Sequence, residues 1–299
     1  MSKYRRQHLV SEVILRRFAD GQVIKVDLDS GQVETRNPAT CMYENRFISA
    51  APQEAEELWQ LVENKLPRAL AAVDDGSVLN DAVQAAAIRE CMAMHMIRSR
   101  GIEWVAKKST EGAIRKVREE LLNNQQADLA LAYLLRHHKP PPDLKALELI
   151  ADELLAKARP ALDDPRLFWD SVRMHFQTTL EWFAPLSLEI SSPKQGAGEF
   201  LIGDSPTVPL KTGSLVGGPW GGVTLEEATT VVMPLGPHHM ASLSRNRASL
   251  ELDAQAVGYV NHVQIYNGFK EVCLRPGSGL EDLVRESLPK RPAKPLANS

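Results

Sequence analysis

The order of helical and extended patterns along the chain limits the fold more than any other feature of the sequence. Residues 53–184 carry apolar side chains at the three-to-four-residue spacing of amphipathic helices. Residues 185–276 instead contain short β-like runs separated by glycine, proline and serine. Helix and strand patterns that are segregated rather than alternating are typical of α+β proteins. We therefore predict an α+β fold that is helix-rich over 53–184 and β-rich over 185–276.

The N-terminal segment adds a helix and a hairpin to this outline. The apolar spacing in "HLVSEVILRRF" predicts a helix from His8 to Phe18. The alternation in "VIKVDLDSGQV" predicts a β-hairpin with an Asp-Ser-Gly turn that includes Gly31. We expect this hairpin to pair with, or pack on, the C-terminal strands, while the helices form a separate layer. We predict that the N-terminal segment, the helical middle and the β-rich part form one domain over 1–285, which is followed by a disordered tail over 286–299.

Charge and hydropathy exclude several classes of protein. The formal net charge is −3, which gives no global attraction to nucleic acid or to acidic membranes. No segment approaches the roughly 20 consecutive apolar residues of a membrane span, and the N-terminus lacks the apolar region of a signal peptide. The three cysteines are widely spaced and odd in number, which argues against a secreted disulfide framework. We predict a cytoplasmic protein that does not cross a membrane.

Short motifs in a fixed order give the sequence a family resemblance. "HLVSEVILRRF" is similar to an N-terminal "HYVPQFYLRNF" block, with Ser11 at the position of its proline. "CMYENRFIS", "EFLIGDSPTV" and "VNHVQIYNGFKEVCLRPG" are similar to later blocks. Their order over residues 8–276 resembles the domain-of-unknown-function family 4238. This resemblance implies an α+β outline and a set of recurring polar positions, and it names no reaction.

Polar positions in these blocks, together with Glu63 and with Arg98 in "MHMIRSRG", which resemble two helical blocks of the same family, form a candidate site. The site consists of His8, Arg16, Glu44, Glu63, Arg98 and Asp204. A histidine titrates near neutrality and can move a proton, and carboxylates can act as bases. His8, Asp204 and Glu63 are therefore the candidate catalytic residues. Arginines hold phosphate in a bidentate fork, which makes Arg16 and Arg98 the candidate substrate-binding residues. Asp204 and Glu44 are the candidate ligands for Mg²⁺ or Mn²⁺, because hard cations prefer carboxylates.

Structural roles are alternatives for the same residues. A glutamate on a helix with an arginine, such as Glu63 with Arg98, is often a packed ion pair that fixes topology. Asp204 precedes Ser-Pro and can cap a turn through the local backbone. Arg89 and His95 have the six-residue spacing of a helical ribonuclease motif, but residues six apart on one helix lie about 120° from a shared face.

Two functional hypotheses follow. The first is a nuclease-like hydrolase that acts on a phosphodiester or nucleotide, with Mg²⁺ or Mn²⁺ neutralising the phosphate. A nucleic acid or nucleotide would then be its partner. The second is a non-catalytic binding or interaction module in which the same polar residues are structural. The first hypothesis carries a geometric prediction, which is that His8, Arg16 and Asp204 share one polar cluster.

Overall fold

The computed structural model describes residues 6–218, 221–245 and 251–292. The helices in this part of the chain are α1 (Glu12–Leu15), α2 (Pro52–Glu63), α3 (Leu66–Asp74), α4 (Ala82–Ile97), α5 (Arg100–Asn124), α6 (Gln126–His137), α7 (Leu144–Leu162), α8 (Pro165–Phe183), α9 (Ala254–Asn267) and α10 (Glu281–Ser287). The strands are β1 (Arg6–His8), β2 (Val23–Asp27), β3 (Val33–Arg36), β4 (Tyr43–Asn45), β5 (Ser187–Pro193), β6 (Ile202–Gly203), β7 (Val208–Leu210), β8 (Thr230–Gly236), β9 (His239–Ser244), β10 (Glu251–Leu252) and β11 (Glu271–Leu274). The predicted α+β fold, with a helical middle and a β-rich C-terminal part, is confirmed.

Contacts along the chain divide it into two compact units. One unit comprises the described residues of 1–102 and 172–299, and it holds every strand named above together with α9. The other comprises residues 103–171, where α6 and α7 pack through an apolar cluster that includes Leu129 and Ile150. A single domain over 1–285 stays a prediction.

The N-terminal hairpin joins the C-terminal strands, as the sequence predicted. Strands β2 and β3 pair antiparallel, and β2 also pairs antiparallel with β11, where Val26 lies opposite Val272. The other edge of β11 pairs with β6, where Val272 lies opposite Gly203. The resulting sheet has the order β3-β2-β11-β6. Because Asp204 directly follows β6, this pairing fixes one of the candidate residues at the sheet edge.

Helix α9 is packed between this sheet and a second sheet of order β10-β5-β9-β8-β7. Val260 and Val263 pack with residues of β7, β8 and β9, whereas Ile265 packs with residues of β2 and β11. A helix with apolar residues on more than one side is stable only when it is buried. The Asp253 side chain caps the N-terminus of α9 by accepting a hydrogen bond from the amide of Ala256.

The first segment of the chain differs from its prediction. His8 ends a strand rather than beginning a helix, because Arg6–His8 pairs antiparallel with Tyr43–Asn45. The amide of Leu9 then donates to the carbonyl of Met42. Five of the apolar residues that follow are fully buried, namely Leu9, Val10, Ile14, Leu15 and Phe18. They need neighbours on several sides rather than the single buried face of an amphipathic helix. Only the short helix α1 and a 3₁₀ turn at Arg16–Phe18 form within the predicted helix.

The predicted disordered tail also begins too early. Helix α10 continues to Ser287, and a 3₁₀ turn follows at Leu288–Lys290. The Arg291 guanidinium then donates hydrogen bonds to the carbonyl oxygens of Leu28, Ile265 and Gly268. Three backbone acceptors in one place hold this segment against β2 and the end of α9. Residues 293–299 lie outside the described part of the chain.

We predict that Gly203→Ala destabilises the protein by about 1–3 kcal/mol, the usual cost of overpacking. A β-carbon at Gly203 would lie 2.8 Å from the backbone carbonyl oxygen of Gln264, which α9 holds in place. Gly258→Ala, in the middle of α9, is the matched control because a β-carbon there meets nothing within 4 Å. The control should be neutral or gain up to about 1 kcal/mol from helix propensity. Urea unfolding measures both changes, and equal stability of the two variants would contradict the packing of β6 on α9.

Candidate functional site

Two arginines at the junction of α4 and α5 organise the polar residues that the sequence singled out. Helix α4 ends at Ile97, and Arg98 adopts a non-helical backbone conformation with φ −83° and ψ 55°. Helix α5 starts at Arg100. The break in the helix lets the two side chains reach different partners although only one residue separates them.

The Arg98 side chain is buried and joins the end of α2 to the end of β1. Its Nη1 donates to Oε1 of Glu63 at 2.8 Å, and Glu63 is the last residue of α2. Its Nε donates to the backbone carbonyl oxygen of His8, the last residue of β1. The guanidinium carbon lies 5.8 Å from the ring centroid of Trp59, so a third neighbour packs against the cation.

Ser11 connects the same glutamate to a second buried group. Its hydroxyl donates to Oε1 of Glu63 at 2.7 Å, and its backbone amide donates to Nε2 of His95 at 3.0 Å. The other ring nitrogen of His95 lies 2.8 Å from the carbonyl oxygen of Cys91 and therefore acts as the donor. A proline at position 11 would have no amide proton for His95, so this bond requires a residue other than proline there. We name Arg98, Glu63, Ser11 and His95 the Arg98 cluster.

The charges in the Arg98 cluster follow from these contacts. Burial raises the pKa of Glu63, but the nearby Arg98 and the hydrogen bonds from Ser11 and Arg98 outweigh it and lower the pKa below its ordinary value. Burial, reinforced by Arg98, lowers the pKa of His95 to about 4. Protonation of Nε2 would also remove the acceptor that the Ser11 amide uses. The cluster therefore holds an ionised glutamate, an arginine and a neutral histidine at neutral pH.

Arg100 bridges two other candidate residues. Its Nε donates to Oε2 of Glu44 at 2.8 Å, and its Nη1 donates to Oδ2 of Asp204 at 3.1 Å. Asp204 is fully buried. Its Oδ1 accepts from the amide of Phe269 at 2.5 Å and its Oδ2 accepts from the amide of Lys270 at 2.9 Å. We name Arg100, Glu44 and Asp204 the Arg100 bridge. Asp204 thus caps the loop between α9 and β11, and the amides that it accepts lie far along the chain rather than in a local turn.

His8 and Arg16 occupy different surroundings. The His8 imidazole is half-buried, and its Nε2 lies 3.2 Å from the carbonyl oxygen of Ala39. Burial, followed by the charge of Arg98, lowers its pKa. Arg16 lies at the surface with 70% of its side chain exposed, where it pairs with Glu12 one helical turn earlier. The prediction that Arg16 shares a cluster with His8 and Asp204 is wrong, because the 3₁₀ turn directs Arg16 to solvent.

The predicted metal ligands are bridged by an arginine. In the described ranges, no group of three or more His, Cys, Asp and Glu residues could hold a metal ion. The guanidinium of Arg100 already stands as the cation between Glu44 and Asp204. Metal binding by these two carboxylates, and the catalytic and substrate roles of the other candidates, stay predictions.

Three buried amides on α9 were not anticipated from the sequence. Asn261, Gln264 and Asn267 are spaced by three residues, so they lie along one side of the helix. Their side-chain oxygens accept from the amides of Leu201, Gly203 and Gly217 respectively. Their side-chain nitrogens donate to the carbonyls of Glu199, Pro206 and Leu215. This amide row holds the irregular backbone around β6 and β7 in place, and its spacing was the signal available in the sequence.

A small cleft lies next to Asp204. Its walls come from the α4–α5 junction, the Ser205–Pro209 segment and the glycine-rich segment at Gly217. The hydroxyl oxygen of Ser205 is buried there and has no hydrogen-bond partner among the residues described. The volume is about 40 Å³, which is room for one or two water molecules.

The chain belongs to the family described as "Protein of unknown function (DUF4238)", whose model matches residues 6–277. The resemblance seen in the sequence is therefore confirmed. No curated protein and no solved structure matches the chain. Within the described residues, no helix is long and apolar enough to cross a membrane.

We predict that Arg98→Met lowers the free energy of unfolding by about 3 kcal/mol. The change leaves Glu63 without its cation, and breaking a buried pair by removing one partner usually costs about 3–5 kcal/mol. Glu63 keeps some solvent contact, which places the loss at the low end. Arg16→Met removes an exposed pair and should cost less than about 0.5 kcal/mol. Urea unfolding of both variants measures this, and equal losses would show that burial of the pair does not matter.

We also predict that His95 makes the protein less stable as the pH falls. Its pKa is about 4 when folded and near the ordinary 6.5 when unfolded. The unfolded chain therefore binds a proton first, and the free energy of unfolding decreases from pH 6.5 towards pH 4. His95→Gln keeps an acceptor for Ser11 but does not titrate, so its decline over this range should be shallower by up to about 1.4 kcal/mol per pH unit.

The control for this pH series is His238→Gln, at an exposed position in the turn between β8 and β9. Its unfolding free energy should follow that of the unmodified protein at every pH. Parallel curves for all three proteins would contradict a neutral, buried His95.

Proposed function

We propose that the chain is a non-catalytic binding module in which the Arg98 cluster and the Arg100 bridge are structural. The observation that carries the proposal is that the charged side chains of Glu63, Arg98, Glu44 and Asp204 are already paired within the protein. Arg98 faces Glu63 and a backbone carbonyl, and Arg100 faces Glu44 and Asp204. A guanidinium that holds phosphate needs donors directed at the ligand, whereas these are directed at carboxylates of the same protein.

The segments that these contacts join support the structural role. The Arg98 cluster links β1, the start of α1, the end of α2 and α4, which are distant in sequence. The Arg100 bridge links β4, β6 and the loop before β11. Charged pairs of this kind are expensive to bury but strongly destabilising to break, which suits groups that fix one arrangement of the chain.

The size of the cleft beside Asp204 also supports this proposal. A space of about 40 Å³ accommodates water but not a nucleotide, since sites for small molecules usually measure about 300–1,000 Å³. A hydrolase would need this region to open, with the Arg100 bridge broken. The ligand of a binding module would instead occupy a different surface.

The nuclease-like hydrolase is the second candidate. One observation favours it, which is the buried Ser205 hydroxyl that faces the cleft beside Asp204 without a described partner. In this hypothesis a nucleic acid or nucleotide is the partner, Mg²⁺ or Mn²⁺ is bound at Asp204 and Glu44, and His8 transfers a proton. For either candidate we propose a cytoplasmic location, which the three free and buried cysteines support.

One experiment separates the two candidates. The protein and its His8→Ala variant are assayed with bis(p-nitrophenyl) phosphate and with short single-stranded DNA and RNA, in Mg²⁺, Mn²⁺ or EDTA. We expect no hydrolysis above the buffer rate and no effect of either metal on the melting temperature. Metal-dependent hydrolysis that His8→Ala abolishes without changing the melting temperature would overturn the non-catalytic proposal.

A double variant tests the structural role directly. Arg98→Met with Glu63→Gln removes both charges, and the glutamine keeps an acceptor for the Ser11 hydroxyl. We expect the double variant to be more stable than Arg98→Met alone, because no uncompensated carboxylate remains. Additive losses from the two single changes would argue against a coupled pair.

A further inference from the structure

A second cleft, in the unit that contains the sheets, is lined by neither Arg98 nor Arg100. It measures about 350 Å³ and lies between the end of α8 and the strand pair β8–β9. Val231 and Leu243 form a directly opposed pair on these strands and line the cleft together. Phe183 and Leu225 contribute further apolar wall. This volume falls within the usual range of small-molecule sites, which are mostly apolar with a few placed polar groups.

The mouth of the cleft exposes an aromatic ring beside a cation. Trp182 is 40% exposed although it lines an apolar cleft. Arg245 directly follows the last residue of β9, is exposed, and lines the same cleft as Leu243. Of the lining residues that the structure describes, Arg245 alone is ionisable. The described lining of the cleft is therefore mostly apolar and contains one positively charged group, the Arg245 guanidinium.

Arg245 differs from Arg98 and Arg100 because no acid among the described residues pairs with it. It forms no ion pair with a described residue, whereas Arg98 and Arg100 each face a carboxylate. The wall segment 225–230 carries Glu226 and Glu227, neither of which lines the cleft, and Glu227 is paired with Lys211 at 3.3 Å. An exposed guanidinium at the rim of an apolar cleft complements a ligand with an apolar body and a negative end.

We propose that this cleft binds a small organic anion, with its apolar body against Trp182, Val231 and Leu243 and its carboxylate at Arg245. The proposal deepens the proposed binding function and rests on it, because it names the site and the chemical class of the ligand. The apolar body supplies most of the affinity through burial, and Arg245 distinguishes anions from neutral molecules of the same shape.

The test uses decanoate as the anionic probe and 1-decanol as its neutral match, with binding followed by titration calorimetry. We expect saturable binding of one decanoate per chain, at least about tenfold tighter than that of decanol. Arg245→Gln should weaken decanoate to the level of decanol and leave decanol unchanged. Arg68→Gln, at an exposed position on α3, is the matched control and should change neither.

Two further variants locate the site. Ala228→Trp fills the cleft and should abolish binding of both probes. If that variant does not fold, Leu225→Glu places a carboxylate in the wall and should weaken decanoate more than decanol. Equal affinity for the two probes, no saturable binding, or unchanged binding in the folded cleft variants would overturn the proposal.

The same calorimetric titration recognises a site that is formed between two copies of the chain. Decanoate binding with a stoichiometry of one per two chains would show a site formed between copies and would also overturn a site within one chain. None of these results depends on the hydrolysis assay or on the unfolding of Arg98→Met. Failure of the ligand proposal is therefore distinguishable from failure of the non-catalytic proposal.

Discussion

The buried ion pair between Arg98 and Glu63 is the interaction on which the helical and N-terminal parts of the larger unit depend. Arg98 stands at a break between two helices, and its guanidinium reaches the end of α2 and the end of β1 together. Ser11 and His95 complete the surroundings of the glutamate. Charged side chains that are buried away from water require partners of this kind. Any alternative packing that separates Arg98 from Glu63 is therefore disfavoured.

On α9, uncharged amide side chains likewise provide partners for buried polar groups. The amide row at Asn261, Gln264 and Asn267 supplies both donors and acceptors to backbone that belongs to no long strand. Buried backbone groups must be paired, and a helix that presents amides at every third residue can pair an irregular segment that a sheet cannot. The Arg100 bridge then fixes Asp204 at the end of that segment.

The contacts of the Arg98 cluster and the Arg100 bridge differ from the lining of the cleft for which a ligand is proposed. The cleft next to Asp204 measures about 40 Å³. The cleft at β8–β9 measures about 350 Å³ and is lined by Arg245, which forms no ion pair with a described residue. Under the proposed function, the polar residues of the family blocks hold the chain together, and the cleft lined by the exposed Trp182 and Arg245 is where a ligand binds.

Local patterns in the sequence determined the α+β class, the hairpin at β2–β3, and the segregation of helices from strands, because periodicity and turn residues act over a few positions. They gave an ion pair between Glu63 and Arg98 only as an alternative to a catalytic and a substrate-binding role. They did not determine which arginine pairs with Asp204, because the sequence does not distinguish the side chain of Arg16 from that of Arg100. The 3₁₀ turn places Arg16 at the surface, and the break between α4 and α5 lets Arg100 reach Asp204. The sequence also did not determine that His8 lies in a strand. Its partner strand lies 35 residues later in the chain, and pairing at that distance is decided by tertiary structure.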